Sequence, residues 1–143
     1  DNRPKEGVVI VRGTSSTNTI VSILEQIGSE YNVKIVSAVS WELFRRQDQA
    51  YKDSIISETE WSDSMIVTNT ALRIMHNWIS NRIVSEYSVS PDWYDNWRTG
   101  GSLDEIIDEA HLSPRWVLEA IRKFASERNS RLERLNKQVP SSD

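Results

Sequence analysis

The sequence predicts an α/β fold: an open, mostly parallel sheet of four to five strands with helices on both faces. Three observations predict it. Gly7-Val8-Val9-Ile10-Val11 is an almost continuous β-branched run, as found in strands buried on both sides of a parallel sheet. Ile20, Ile23, Leu24 and Ile27 follow at the spacing of one helical face. A second Val- and Ile-rich run, Val33 to Val39, then completes a βαβ unit, whose crossover is expected to be right-handed.

The remaining elements follow in order. From Trp41 to about Ser54 charged residues cluster, yet Phe44, Tyr51 and Ile55 fall near one helical face, which predicts a helix or a helical connection. Met65-Ile66-Val67-Thr68 reads as a third strand. Asn69 or Thr70 can cap the next helix, in which Ala71, Met75, Trp78 and Ile79 share one side. A fourth strand is expected over Arg82 to Ser88, then an ordered loop from Val89 to Gly101. Ser102-Leu103-Asp104-Glu105 is a capping box that opens a helix. Ser113-Pro114 opens another, with Val117, Ile121 and Phe124 on its buried face. The last helix interleaves Arg122, Lys123, Arg128, Arg131, Arg134 and Lys137 with Glu119, Glu127 and Glu133, the pattern of a solvated surface. A flexible tail is expected from about residue 136 to Asp143. No repeat or interdomain linker interrupts residues 1–143, so one domain is predicted.

Composition narrows the function classes. A net charge of −4 gives no electrostatic reason to expect nucleic acid, since phosphate binding draws on clustered, unopposed Lys and Arg. The apolar runs are too short for a membrane span, and no basic segment followed by an apolar stretch opens the chain, so neither a span nor a signal peptide is expected. With no cysteine, disulfides and thiolate metal sites are excluded, and the cytoplasm is the expected compartment. The chain opens on Asp1 without Met, which suggests processing from something longer.

Two loops have the chemistry of an anion site. Arg12-Gly13-Thr14-Ser15 joins the first strand to its helix, where free amides and partial positive charge meet. It lacks both phosphate-loop signatures, so an ordinary strand-to-helix turn is the preferred reading. Arg98-Thr99-Gly100-Gly101-Ser102 sets an arginine and two glycines before a capped helix; an anion site and a tight turn stand level there. Asp104, Glu105, Asp108 and Glu109 read as a solvated helix start, and His76 and His111 as structural. No nucleophile has a recognisable set of partners, so no catalytic, cofactor-binding or metal residue is assigned. Trp93, Tyr94 and Trp97 lie in one loop of a chain with six tryptophans, the best hint of a protein interface.

One stretch carries a resemblance. Val33-Lys34-Ile35-Val36-Ser37 leads to Trp41-Glu42-Leu43-Phe44-Arg45-Arg46-Gln47-Asp48 and then Tyr51-Lys52-Asp53-Ser54-Ile55-Ile56. This resembles the C-terminal domain of transketolases, in which a strand ends in Glu-Leu-Phe, then a Gln-Asp pair, then a Tyr and a short apolar stretch. Gly13-Thr14-Ser15 looks like that family's Gly-Ser turn after its opening strand. The second half departs from the pattern. Thr68-Asn69-Thr70-Ala71 stands where the family usually has Glu-Ala-Gly, and Trp97 to Ser102 where it has Phe-Gly-x-Ser.

The resemblance implies a transketolase-type α/β C-terminal domain, whose parent transfers a two-carbon ketol unit between sugar phosphates in the pentose phosphate pathway. It implies thiamine diphosphate and a divalent metal, Mg or Ca, in the parent and no cofactor in this domain. The implied partners are the remaining transketolase domains and a second subunit of a homodimer. The piece is then part of a transferase, not active alone, with a structural and dimerisation role. The alternatives are the C-terminal domain of a related 2-oxoacid dehydrogenase first component, or a module that binds an anionic regulator.

Overall fold

The computed structural model describes residues 6–38, 40–70, 72–90 and 114–138. Three parallel strands are present among them: β1 (Val8–Arg12), β2 (Lys34–Ser37) and β3 (Ser64–Thr68), in the order β2-β1-β3. Val9 lies opposite Ile35 on one side and Met65 on the other. Side chains alternate faces along a strand. Val9, Val11, Met65 and Val67 therefore enter one core and Val8, Ile10, Val36 and Ile66 the other.

Helix α1 (Thr14–Glu30) covers the first face through Ile20, Ile23 and Ile27. Leu24, expected on the same face, is 46% exposed, beside Val21 at 64%. Among the described residues β2 is the edge of the sheet, so that side of α1 overhangs Ile35 and meets no further strand there. Helix α6 (Pro114–Ser126, numbered after the helices that follow β2) packs beside α1 through Val117, Ile121 and Phe124, as predicted.

The second face is covered by short pieces. The helix or helical connection expected from Trp41 to about Ser54 is two short helices, α2 (Trp41–Arg45) and α3 (Gln49–Ile55), followed by α4 (Glu58–Ser62). Each has its own cap: Ser40 accepts from the Leu43 amide, Asp48 from Tyr51, and Ser57 forms a capping box with Glu60. Three caps within eighteen positions restart the helix each time. After β3, Met75 and Trp78 are buried as expected, but on a 3-10 helix over Leu72–Trp78; Ala71 lies outside the described residues. The Thr70 amide donates to Thr68 Oγ1 at 3.2 Å, which closes the turn after β3.

The fourth strand expected over Arg82 to Ser88 is helix α5 (Arg82–Tyr87). Asn81 caps it by accepting from the Val84 amide, which turns a β-branched pair into a helix start with Ile83 and Val84 buried. Sheet pairing resumes one residue later, in a single parallel bridge between Val89 and Val67. The described residues thus hold three strands where four to five were expected. The mixed α/β class, the parallel sheet and the helices on both faces hold.

Helix α7 (Arg128–Gln138) runs past the point at which a tail was expected to begin. Its reading as a solvated surface is corrected at Arg131, which is 0% exposed. The guanidinium lies 3.7 Å from the Phe124 ring centroid and donates to Asp63 Oδ1 from Nη2 at 2.5 Å and from Nε at 3.2 Å. It also donates to the Phe124 carbonyl. Asp63 sits just before β3, so this contact ties the end of the chain to the sheet. Loop 91–101, the capping box at Ser102, the acids from Asp104 to Glu109, His111, Ser113 and the end beyond Gln138 lie outside the described residues.

Candidate functional site

From β1 the chain crosses to β2 on one side and returns to β3 on the other. In an open parallel sheet the crevice outside the carboxyl ends of two such strands is where ligands usually bind. Here those ends are Arg12-Gly13-Thr14 at the close of β1 and Asn69-Thr70 after β3.

Gly13 has φ +97, a conformation that side-chain-bearing residues rarely adopt. Its missing Cβ also matters, because the Asn69 carboxamide occupies the space that a Cβ would need. The β1 and β3 loops are thereby locked together. Gly13 starts α1 without a side-chain cap, while Thr17 Oγ1 donates back to the Gly13 carbonyl at 2.8 Å. Arg12 is half-buried and its Nη1 lies 3.6 Å from Met75 Sδ. Among the described residues it meets no carboxylate. Ser16, in the first turn of α1, is fully buried with its hydroxyl unpartnered.

Of the residues singled out in the sequence, the structure therefore brings Arg12, Gly13 and Thr14 to the switch-point crevice. Ser15 follows them at the start of α1, its side chain outside the described set. Arg98, Gly100, Gly101 and Ser102, and the aromatic trio Trp93, Tyr94 and Trp97, also lie outside it. His76 is exposed on the 3-10 helix, its Nδ1 3.0 Å from the Arg73 carbonyl. Among the described residues no group of three or more His, Asp or Glu side chains is placed to hold a metal ion.

Two constellations escaped the sequence reading. Trp41, Phe44, Trp61 and Trp78 form one cluster on the second face, with every pair of rings between 5.1 and 6.0 Å apart. It is fixed by the Trp61 indole N–H, which donates to the Trp78 carbonyl at 2.6 Å. Their separation in sequence hides this convergence. The other is the Asp63–Arg131 pair, whose buried member looks like any surface arginine in an alternating-charge helix. Burial pushes the Arg131 guanidinium below the usual arginine range, and Asp63 opposes that shift.

No helix among the described residues is long and apolar enough to cross a membrane. The comparison with curated proteins finds no match. The profile described as the transketolase-like TK C-terminal domain matches residues 3–90, more than half of the chain. That span takes in all three strands, the Trp41 to Ile56 motif and both sides of the crevice. The chain therefore belongs to the transketolase-like C-terminal domain family.

Proposed function

We propose that the chain is the C-terminal, non-catalytic structural and dimerisation domain of a cytoplasmic transketolase, whose parent enzyme moves a two-carbon ketol unit between sugar phosphates. The observation that carries this reading is the family match over the whole sheet together with the chemistry of the crevice. Thiamine diphosphate requires a divalent metal on its diphosphate, held by hard oxygen ligands that include carboxylates. Arg12, Gly13, Thr14, Asn69 and Thr70 offer no carboxylate, and Asn69 fills the space above Gly13. The crevice does not fit that cofactor, so no chemical step is assigned to these residues. The cofactor and its Mg or Ca belong to other domains in this account, and this domain supports them mechanically.

The test is complementation. A transketolase truncated before its C-terminal domain is mixed with the chain, and dimer formation and ketol transfer are followed by sedimentation and a coupled assay. Recovery of both supports the reading; activity of the chain by itself contradicts it. A second reading, anion binding at the crevice, is favoured by one observation, the absence of a carboxylate partner for Arg12 among the described residues. Amide shifts of Gly13 and Thr14 on titration with phosphate, removed by Arg12→Ala, would support it; unmoved amides would end it.

A further inference from the structure

Among the clefts to which the family reading gives no role, one is built on the aromatic cluster. It lies on the outer side of the aromatic cluster, between α2, α3 and α4, with a volume of about 370 Å³, within the roughly 300–1,000 Å³ usual for small-molecule sites. Trp41 and Trp61 line it, half-buried, with ring planes 71° apart and centroids at 5.5 Å, so they form an inside corner. The Trp61 indole nitrogen is committed to the Trp78 carbonyl, which fixes that side of the corner.

Around this corner stand charges of both signs. Arg45 is neutralised by Glu42 at 2.8 Å. Among the described residues Lys52 and Glu58 line the cleft without an ion-pair partner, and Asp53 accepts from Gln49 through Oδ1. A phosphate would meet Asp53 and Glu58; a cation would meet Lys52. A hydroxyl both donates and accepts, so it can satisfy a lone ammonium and a lone carboxylate alike. A pyranose ring supplies several hydroxyls at its rim and an apolar face of C–H groups, whose hydrogens suit the electron-rich face of an indole.

We infer that this cleft is a binding site for an uncharged monosaccharide unit, stacked in the Trp41–Trp61 corner and hydrogen-bonded by Lys52, Asp53 and Glu58. The site is separate from the switch-point crevice and does not depend on the proposed parent activity.

The test uses the 143-residue chain with methyl glucoside, methyl galactoside and xylose as neutral probes and glucose 6-phosphate as the charged one. Saturation-transfer NMR and tryptophan fluorescence are read together. At least one neutral sugar should saturate, with a dissociation constant on the order of millimolar and transfer concentrated on one C–H face. Lys52→Met and Glu58→Ala, which leave the aromatic packing intact, should each weaken binding up to about tenfold. Trp41→Ala should abolish it, with circular dichroism reporting whether that variant folds. The proposal is overturned if no neutral probe saturates, if glucose 6-phosphate binds more tightly than the neutral sugars, or if the Lys52 and Glu58 variants bind unchanged.

Discussion

Replacing Asp63 by alanine leaves a fully buried guanidinium facing an empty carboxylate position. Arg131 would lose its Nη2 bond at 2.5 Å and its Nε bond at 3.2 Å, keeping only the Phe124 carbonyl and the rings of Phe124 and Tyr87. Each charge-assisted bond contributes about 1.5–3 kcal/mol, and breaking one side of a buried pair costs about 3–5 kcal/mol. Arg128, which also bonds Asp63 at 2.9 Å, is a third exposed and adds less than about 1 kcal/mol. Asp63→Ala should therefore destabilise the chain by about 3–5 kcal/mol, a large share of the roughly 5–15 kcal/mol typical of a domain. Adding Arg131→Met removes the stranded charge while keeping apolar contact with Phe124, and should recover much of that loss. Urea unfolding followed by circular dichroism at constant m-value measures both. A loss below about 1 kcal/mol for Asp63→Ala, or no recovery in the double variant, would refute the buried-pair account.

Three further outcomes follow from the fold. Gly13→Ala should cost more than about 1 kcal/mol, through its positive φ and the Asn69 carboxamide together; Asn69→Ala on that background should restore part of the loss, read by thermal melting. Ser88 accepts from the Ile66 amide at 2.9 Å and donates to the Val84 carbonyl at 2.6 Å, so Ser88→Ala should cost about 1–3 kcal/mol by leaving a buried amide unpaired. Burial raises the affinity of the Glu60 carboxyl for its proton, but the Ser57 amide and the Lys34 ammonium outweigh this and hold it below the ordinary glutamate value. Its stabilisation is accordingly present above the usual glutamate range near pH 4.3 and is lost as pH falls through the folded-state value. Denaturation curves of Glu60→Gln against pH should show a shallower acid loss than the parent chain; identical slopes would contradict this.

How much of this was legible in the sequence depended on whether local pattern and tertiary demand agreed. They agree at Val8 to Val11 and Met65 to Thr68, where unbroken apolar runs can only be buried strands, and at Val117, Ile121 and Phe124, which share one helical face. They conflict at Arg82 to Ser88. Its Ile-Val pair suits a strand, but the Asn81 cap sets the backbone first. The helical segment after Trp41 is legible as helical, but its division into three pieces rests on the caps at Ser40, Asp48 and Ser57. Arg131 was unreadable for a deeper reason. Its partners Asp63, Tyr87 and Phe124 are scattered along the chain, and no local spacing records that they meet. The crevice was half legible: Gly13 marks a turn, but its second function, clearance for Asn69, needs β3 in place beside β1.

The proposed role requires that this domain hold none of the machinery for thiamine diphosphate. Calorimetric titration of the chain with thiamine diphosphate in the presence of Mg tests it most directly. The account predicts no saturable heat, and unchanged melting with and without the cofactor. Saturable, metal-dependent binding of thiamine diphosphate by these residues would contradict it.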